Sequence, residues 1–164
     1  VGGSYTPADP AIFQYVNLPG VEIYGIEAKI QGDLGDGFGI VASASYAYGT
    51  SETSGVREPL QSIDPVKLTA GLTYRDPDGL FGGQLALVHS AAKDADRTTC
   101  PTTCFLPDAF TAIDLTAWVQ LGEAAKLRAG IFNLTDETYW WWSDIRGLAA
   151  TSTVPSLKAK SAQQ

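Results

Sequence analysis

Long runs of alternating apolar and polar residues constrain this chain more than any other feature. The run from residue 66 to 75 places Val66, Leu68, Ala70, Leu72 and Tyr74 on one side and Lys67, Thr69, Gly71, Thr73 and Arg75 on the other. Such alternation is typical of a β-strand, because successive side chains point to opposite faces of a sheet. Five further runs alternate in this way and lie at residues 22–31, 38–48, 81–92, 110–121 and 126–133. The sequence therefore predicts an all-β protein with about six long strands.

The connections between these runs alternate between short and long. The short ones carry turn-forming Gly, Pro or Asp and lie at residues 34–37, 76–79 and 122–125. The long ones lie at residues 49–65, at 93–109 and after 134. Strands of roughly 9–12 residues with this pattern of connections are typical of an outer-membrane β-barrel, whereas strands of soluble proteins have about 5–6 residues. We predict an antiparallel up-and-down meander, with a soluble sheet of uneven loops as the alternative.

Charge and composition exclude several functions. The formal net charge is -7, which argues against a nucleic-acid partner, because a nucleic-acid binder needs a basic face to neutralise phosphates. No stretch approaches the roughly 20 apolar residues of a membrane-spanning helix. The motifs of zinc proteases, phosphate loops and nucleophile elbows do not occur in the sequence. We therefore do not expect an enzyme.

The last predicted strand and the residues after it resemble a known family. The segment from Leu127 to Asp136, followed by Tyr139, is similar to the C-terminal signature of TonB-dependent outer-membrane receptors. The signature residues in this chain are Asn133, Leu134, Asp136 and Tyr139. Further stretches with this resemblance are residues 24–27, 59–67, 89–94 and 139–147. The last three resemble the haem and haemoglobin branch of the family, which includes receptors of the transferrin and lactoferrin type.

The resemblance implies the fold and the function of a complete receptor. Such receptors are β-barrels of about 22 strands with a plugged lumen. They take up haem or haem-protein iron across the outer membrane of Gram-negative bacteria, with energy from the TonB complex. Haem is then the transported cargo, and no cofactor is bound permanently. The implied partners are the lipid bilayer, the plug domain with the remaining barrel strands, the TonB complex and a haem-carrying protein.

The chain is long enough for only part of such a barrel. Six strands are about a quarter of it, so we expect residues 1–153 to form a C-terminal portion of the barrel and residues 154–164 to form a disordered polar tail. The plug, the TonB-contacting segment, a signal peptide and the usual aromatic-ended last strand do not occur in the sequence, which indicates a truncation or an excerpt. Three other functions stay open: a receptor for a siderophore or another nutrient, a passive porin or adhesin barrel, and a soluble β-sheet module that binds a ligand.

Two cysteines lie close together in a predicted external loop. They are Cys100 and Cys104, and the chain has no others. An oxidising exterior favours a disulfide between them. A metal site would need further ligands, and none lies nearby in the sequence. Free thiols are the third possibility.

The chain has a single histidine, His89. It shares a strand face with Leu85 and Leu87, which indicates an interfacial residue at the end of a strand. In the family that the chain resembles, the haem-ligating histidines belong to the plug and to an earlier loop, so no haem ligand is assigned here.

An aromatic cluster begins the predicted last external loop. The residues that we expect to contact a ligand or a partner protein are Tyr139, Trp140, Trp141, Trp142, Asp144 and Arg146. Three adjacent indoles cannot all face one way on a strand, so some of them are expected to stack on a flat ligand or a partner. The alternative is an aromatic girdle with loop packing, in which Asp144 pairs with Arg146.

The polar side of the predicted sheet carries charges of both signs. They belong to Glu27, Lys29, Lys67, Arg75, Asp114, Lys126 and Arg128. In a complete receptor this side would face the plug, and mixed charges suit hydrogen bonds and ion pairs with the plug better than they suit a selective pore. A hydrated barrel wall is the alternative.

Overall fold

The computed structural model describes residues 20–153, which form one antiparallel sheet. Its strands are β1 (Gly20–Gly35), β2 (Phe38–Thr53), β3 (Val56–Pro59), β4 (Lys67–Arg75), β5 (Phe81–Ser90), β6 (Phe110–Leu121) and β7 (Ala125–Ile131). A 3-10 turn at Ala95–Arg97 and the short helix α1 (Trp142–Ile145) lie in the connections. No helix within residues 20–153 is long and apolar enough to cross a membrane. The predicted tail at residues 154–164 and residues 1–19 of the predicted barrel portion lie outside the described residues.

The strands follow one another in the sheet in chain order. The order is β1-β2-β4-β5-β6-β7, with every pair antiparallel, and β3 pairs only with the distal end of β2. The predicted all-β, up-and-down meander of six long strands is therefore confirmed. In the described part of the chain, β1 and β7 are the outer strands of this meander, and each has one unpaired edge.

The prediction of one loop over residues 49–65 is wrong in its first half. Strand β2 continues to Thr53, the chain turns at Ser54 and Gly55, and β3 returns from Val56. The φ angles of Ser54 and Gly55 are 54° and 79°, the left-handed conformation of a two-residue hairpin turn. Hydrophobic alternation does not detect this hairpin, because the residues on both of its faces are mostly polar.

Tight turns join the strands at the opposite end of the sheet, which we call the short-turn end. Gly37 has a φ of 83°, and a side chain there would collide with the carbonyl oxygen of Arg75. In the next turn, the carbonyl of Asp76 accepts from the N–H of Gly79 at 2.9 Å, and its carboxylate accepts from the N–H of Leu80 at 3.2 Å. The other end of the sheet, where the long connections lie, is the long-connection end.

One face of the sheet, the apolar face, is exposed along its whole width. One row of directly paired residues on this face consists of Ile40, Leu72, Leu85, Leu115 and Ile131. These five residues are 40% to 58% exposed. A continuous apolar surface that crosses five strands exceeds what soluble monomers usually expose. This face therefore needs an apolar environment to cover it.

The core lies on the other face, the polar face, near the long-connection end. The buried apolar residues of the described chain are Phe110, Ala112, Trp142 and Ile145. The first two belong to β6 and the last two to α1. The chain after β7 therefore folds back over the sheet, and the core forms between α1 and β6.

Candidate functional site

The polar face has two halves with different surroundings. At the long-connection end, residues 132–148, the connection at 60–65 and parts of the connection at 91–109 lie against the sheet near Lys67 and Phe110; this is the covered half. At the short-turn end, the sheet around Trp118 and Arg128 stays accessible; this is the open half. The geometry of each half follows from a small number of contacts.

Asn133 begins the segment that folds back. It is buried and has a φ of 52°, so β7 ends at Ile131 and not at residue 133 as predicted. Its backbone N–H donates to the carboxylate of Asp114 at 2.8 Å. Its side-chain amide donates to the carbonyl of Glu137 at 2.8 Å and accepts from the N–H of Glu137 at 3.1 Å. The N–H of Asp136 donates to the carbonyl of Asn133 at 2.9 Å, so two of the four signature residues build one closed turn.

The other two signature residues continue along β6. Leu134 donates its backbone N–H to the carbonyl of Ile113 at 2.7 Å, while its side chain is exposed. Tyr139 stacks on Phe110, with ring centroids 4.2 Å apart and an interplanar angle of 18°. Trp141 meets the same Phe110 ring edge-on at 4.9 Å. The signature segment thus forms an aromatic stack on the polar face.

Trp142 anchors the covered half. Its side chain is only 2% exposed, and its indole N–H donates to the carbonyl of Gln61 at 2.7 Å. The ammonium of Lys93 lies 4.7 Å from the centre of the Trp142 ring and donates to the carbonyl of Ile63 at 2.8 Å. Two donors from different segments therefore hold the connection at residues 60–65 in place.

Two ionisable groups of the covered half have shifted pKa values. Burial lowers the pKa of Lys93 below its ordinary 10.5, although the nearby carboxylate of Asp64 acts in the opposite direction. Burial raises the pKa of Tyr139 above its ordinary 10.0, and the carboxylate of Asp114 adds to the rise. In both cases the folded state disfavours the charged form of the side chain.

The structure joins Cys100 and Cys104 in a disulfide, with the two Cα atoms 5.4 Å apart. The side-chain amide of Gln61 lies 3.4 Å from the sulfur of Cys100. Next to the disulfide, the N–H of Phe105 donates to the carbonyl of Leu148 at 2.8 Å. The disulfide-closed loop therefore contacts both the 60–65 connection and the segment after α1.

The three adjacent tryptophans have three different environments. Trp142 is buried, and Trp141 is half-buried with the ammonium of Lys67 at 4.4 Å from its ring centre. Trp140 is half-exposed and meets Phe105 edge-on at 5.2 Å. Of the three indoles, the structure thus buries Trp142 and leaves Trp141 and Trp140 partly exposed, each against a neighbouring side chain.

Asp144 and Arg146 lie at the short helix α1. The backbone N–H of Asp144 donates to the carbonyl of Trp141 at 3.0 Å, and that of Arg146 donates to the carbonyl of Trp142 at 2.9 Å. The residue Arg146 is exposed and Asp144 is half-exposed. Both side chains are therefore within reach of a molecule that approaches the long-connection end.

The residues that were predicted to face the lumen share the polar face. Strand pairing places on it Glu27, Lys29, Lys67, Arg75, Asp114, Lys126 and Arg128. Two of them belong to the covered half, because Asp114 accepts from Asn133 and Lys67 lies over Trp141. The two on β1 are exposed, and the remaining three cations lie in the open half.

The open half combines a flat aromatic ring with three cations. Trp118 lies so close to Gly82 that a side chain at Gly82 would collide with the indole. The ammonium of Lys126 lies 4.0 Å from the Trp118 ring centre, Arg128 pairs with Trp118 in register, and Arg75 pairs with Gly82. A concavity of about 1320 Å³ lies over this surface. The ion pairs within residues 20–153 all lie elsewhere, so these cations lack carboxylate partners in that part of the chain.

His89 lies on the apolar face near the end of β5. Its Nδ1 atom is 2.9 Å from the hydroxyl of Thr111 on β6. In the described part of the chain, no group of three or more His, Cys, Asp or Glu side chains is close enough to hold a metal ion. His89 therefore takes part in a polar contact between two strands.

Sequence reasoning missed several residues that hold the covered half together. Lys93, Gln61 and Phe110 contact Trp142, the disulfide loop or Tyr139, yet none was singled out beforehand. A lysine in a polar connection is indistinguishable in sequence from a solvated lysine. The one available signal was Phe110, a large aromatic residue on the polar face of its strand.

Comparison with known proteins agrees with this architecture. The family model described as "TonB dependent receptor-like, beta-barrel" matches residues 1–134. The chain is 29% identical over 157 residues to "Hemoglobin and hemoglobin-haptoglobin-binding protein A" of Haemophilus influenzae, which covers 86% of this chain and 14% of that protein. It is 26% identical over 169 residues to "Probable hemoglobin and hemoglobin-haptoglobin-binding protein 4" of the same species, with 93% and 17% covered. The chain thus spans less than a fifth of the length of these relatives.

A solved structure shares the fold. "Copper transporter OprC" superposes with a TM-score of 0.59 at 24% sequence identity, covering 74% of this chain and 18% of that chain. The resemblance to TonB-dependent receptors and to their haemoglobin-binding branch is confirmed by these matches. The chain belongs to the TonB-dependent receptor β-barrel family, whose members are receptors and transporters and not enzymes.

Proposed function

We propose that this chain is a wall segment of an outer-membrane receptor that takes up haem, or iron from a haem-carrying protein, with energy from the TonB complex. The similarity to haemoglobin-binding relatives over 86% and 93% of the chain carries this proposal. The exposed apolar face supports it, because lipid would cover that face in the outer membrane of a Gram-negative bacterium. Haem is the transported cargo of the complete receptor and is not held permanently by this segment.

The polar face then points into the barrel, and its open half contacts the plug domain. Arg75, Lys126 and Arg128 are exposed there and lack carboxylate partners within the described chain. Acidic groups of the plug would complement these three cations, and the Trp118 ring offers a flat apolar contact beside them. Glu27 and Lys29, on the exposed part of the same face, extend this contact with charges of both signs.

The haem-carrying protein approaches the long-connection end, where Trp140 and Phe105 form a half-exposed aromatic pair. Aromatic residues often dominate the binding energy of protein interfaces. The pair is held by the disulfide-closed loop, which reduces the cost of ordering it on binding. Asp144 and Arg146 on the neighbouring helix supply a polar rim to this contact.

Growth on haemoglobin tests the function of the complete receptor. A strain without haem-protein receptors is supplied with the full-length receptor, with haemoglobin as the only iron source. We expect growth that is lost when the tonB gene is deleted. Growth without TonB would identify a passive barrel, and growth on siderophore iron but not on haemoglobin would identify another nutrient receptor; either result contradicts the proposal.

A matched pair of tryptophan variants tests the contact at the long-connection end. Trp140→Ala is expected to weaken haemoglobin binding to whole cells by on the order of 30-fold, the size of a hot-spot residue. Trp118→Ala removes the same side chain from the open half and should leave binding at the cell surface unchanged. Equal binding by wild-type and Trp140→Ala cells would contradict the assigned contact.

A further inference from the structure

We infer that the apolar face of the sheet carries a site for the phosphate group of an anionic membrane lipid, formed by Arg97, Tyr46 and Tyr48. This inference rests on the proposed function only in that lipid covers the apolar face. It concerns the outer surface of the wall, and none of the contacts proposed for the plug or the haem-carrying protein takes part in it.

Aromatic side chains mark two levels on the apolar face. At the long-connection end, Tyr24 packs against Tyr48 with ring centroids 5.2 Å apart. At the short-turn end, Tyr74 lies between Phe38 and Phe81, with centroid distances of 4.8 and 5.7 Å. Aromatic rings at two such levels are typical of the two boundaries between the hydrocarbon core and the headgroups.

The spacing of the two levels agrees with the thickness of a membrane. Phe38 and Tyr48 both belong to β2, and the stretch between them extends for about 33 Å at ~3.3 Å per residue. A strand tilt of about 40° reduces this to roughly 25 Å across the membrane, the height of the apolar band of such barrels. Tyr46 and Tyr48 therefore lie where the lipid headgroups begin.

Arg97 brings a guanidinium group to this level. It ends the 3-10 turn Ala95–Arg97, and its central carbon lies 5.1 Å from the ring centre of Tyr46 and 5.5 Å from that of Tyr48. Its Nη2 atom donates to the hydroxyl of Tyr46 at 3.0 Å. Because strand alternation places both rings on the apolar face, they hold the guanidinium on the side of the sheet that meets lipid.

The guanidinium keeps donors available for a ligand. The carboxylate of Asp94 lies 3.8 Å from Nε, and the same side chain also accepts from the N–H of Asp96 at 3.0 Å. No hydrogen bond or ion pair within residues 20–153 uses Nη1, and the Arg97 side chain is 36% exposed. A planar guanidinium with free N–H groups matches phosphate oxygens, and the hydroxyl of Tyr46 adds a neutral donor beside it. Headgroup phosphates are the anions found at this level of a membrane.

A lipid titration of the full-length receptor in neutral detergent tests the site. The probes are a short-chain phosphatidic acid, a diacylglycerol of the same chain length without the phosphate, and inorganic phosphate, with binding measured by native mass spectrometry. We expect wild-type receptor to bind the phosphatidic acid in preference to the other two probes. Arg97→Gln should weaken that binding by on the order of tenfold, because a charge-assisted hydrogen bond is lost. The matched control is Arg57→Gln, which removes an exposed arginine on β3, paired with Glu22 at 3.3 Å, and should bind like wild type.

Each other outcome overturns the inference. If Arg97→Gln binds phosphatidic acid as tightly as wild type, Arg97 is not part of the site. If the diacylglycerol binds as tightly as phosphatidic acid, the site does not recognise the phosphate group. Equal affinity for inorganic phosphate identifies a free-anion site and not a lipid site. Because Arg97 also holds its connection against the wall, protease resistance of residues 91–109 is checked in parallel. Tyr46→Phe keeps the ring and loses only the hydroxyl, so its expected two- to threefold loss tests the site even when Arg97→Gln loosens the connection.

The titration is independent of transport. A receptor that fails to support growth on haemoglobin but binds phosphatidic acid through Arg97 would contradict the proposed cargo and leave the lipid site intact. A receptor that transports haem iron but binds all three probes alike would contradict the lipid site alone.

Discussion

The covered and open halves of the polar face use the same strands but differ in what completes them. In the covered half, Trp142 and Phe110 are buried by the chain itself, and buried donors find partners in neighbouring connections. In the open half, Arg75 and Arg128 are exposed over a concavity of about 1320 Å³. The described chain therefore buries its own polar face at the long-connection end and leaves that face accessible at the short-turn end. Substitutions in the two halves should therefore affect different properties.

Replacing Trp142 should have the largest effect on the covered half. Trp142→Ala removes a fully buried indole and its hydrogen bond to Gln61, so we expect a local destabilisation of about 3–5 kcal/mol. Hydrogen exchange of the 60–65 and 91–109 connections in the full-length receptor measures this loss. Trp140→Ala, at the half-exposed neighbour, is the control and should change exchange much less. Equal exchange rates in the two variants would show that the deeper burial of Trp142 does not make it more important for stability than Trp140.

Opening the disulfide should have the next largest effect. A five-residue loop closed by Cys100 and Cys104 contributes about 2 kcal/mol through the unfolded state. Cys100→Ser with Cys104→Ser should therefore increase protease cleavage in residues 91–109 and weaken the haemoglobin contact at Phe105. Cleavage in the open half should not change. A variant as resistant to protease as wild type would contradict the role of the disulfide in the covered half.

Removing the side chain of Asn133 should cost about 1–2 kcal/mol. Asn133→Ala loses both hydrogen bonds to Glu137 and places alanine at a positive φ. Asn133→Gly loses the same bonds but tolerates the backbone conformation, so it should be less harmful. The N–H of Glu137 reports the change by faster hydrogen exchange. Alanine and glycine variants with the same exchange rate would show that the backbone conformation contributes nothing.

Alkaline pH should stabilise the covered half before it weakens it. The pKa of Lys93 is lowered in the folded state, so the unfolded chain binds more protons between that value and 10.5, and stability rises as pH rises through this window. The pKa of Tyr139 is raised, so stability falls once the unfolded tyrosine ionises above 10.0. Indole fluorescence during denaturant unfolding follows both steps. Lys93→Met should abolish the rise and keep the fall; a rise that survives in this variant would contradict the assignment.

Substitutions in the open half should have the smallest effect on the fold. Arg128→Gln changes an exposed group and should alter stability by less than about 0.5 kcal/mol. In the full-length receptor, the same change should loosen the plug, measured as increased entry of a large antibiotic through the barrel. Arg57→Gln on the hairpin of β2 and β3 is the charge-matched control and should not increase entry. If Arg128→Gln unfolds the covered half, the two halves are not independent.

Most of the sheet could be predicted from the sequence, and most of the covered half could not. Alternation places residues such as Leu72 and Arg75 on opposite faces. Because paired residues on neighbouring strands share a face, the same assignment holds across the whole sheet. The contact of Lys93 with Trp142 joins residues that are far apart in the chain and carry no periodic pattern. The aromatic run 140–142 predicts a cluster. Which of the three indoles is buried depends on the turn at Asn133 and on the position of α1 against the sheet.

Local chemistry was enough to predict the meander and its two faces, because alternation and glycine turns act between neighbours in the chain, while the family followed from the resemblance of residues 127–139 to its signature. Those features required an apolar environment for one face and left the other polar. The division of the polar face into a covered and an open half came from long-range packing, since it depends on where the segment after β7 returns. Folding also brought Arg97 onto the rings of Tyr46 and Tyr48, because the connection between β5 and β6 reaches back across β4 to β2.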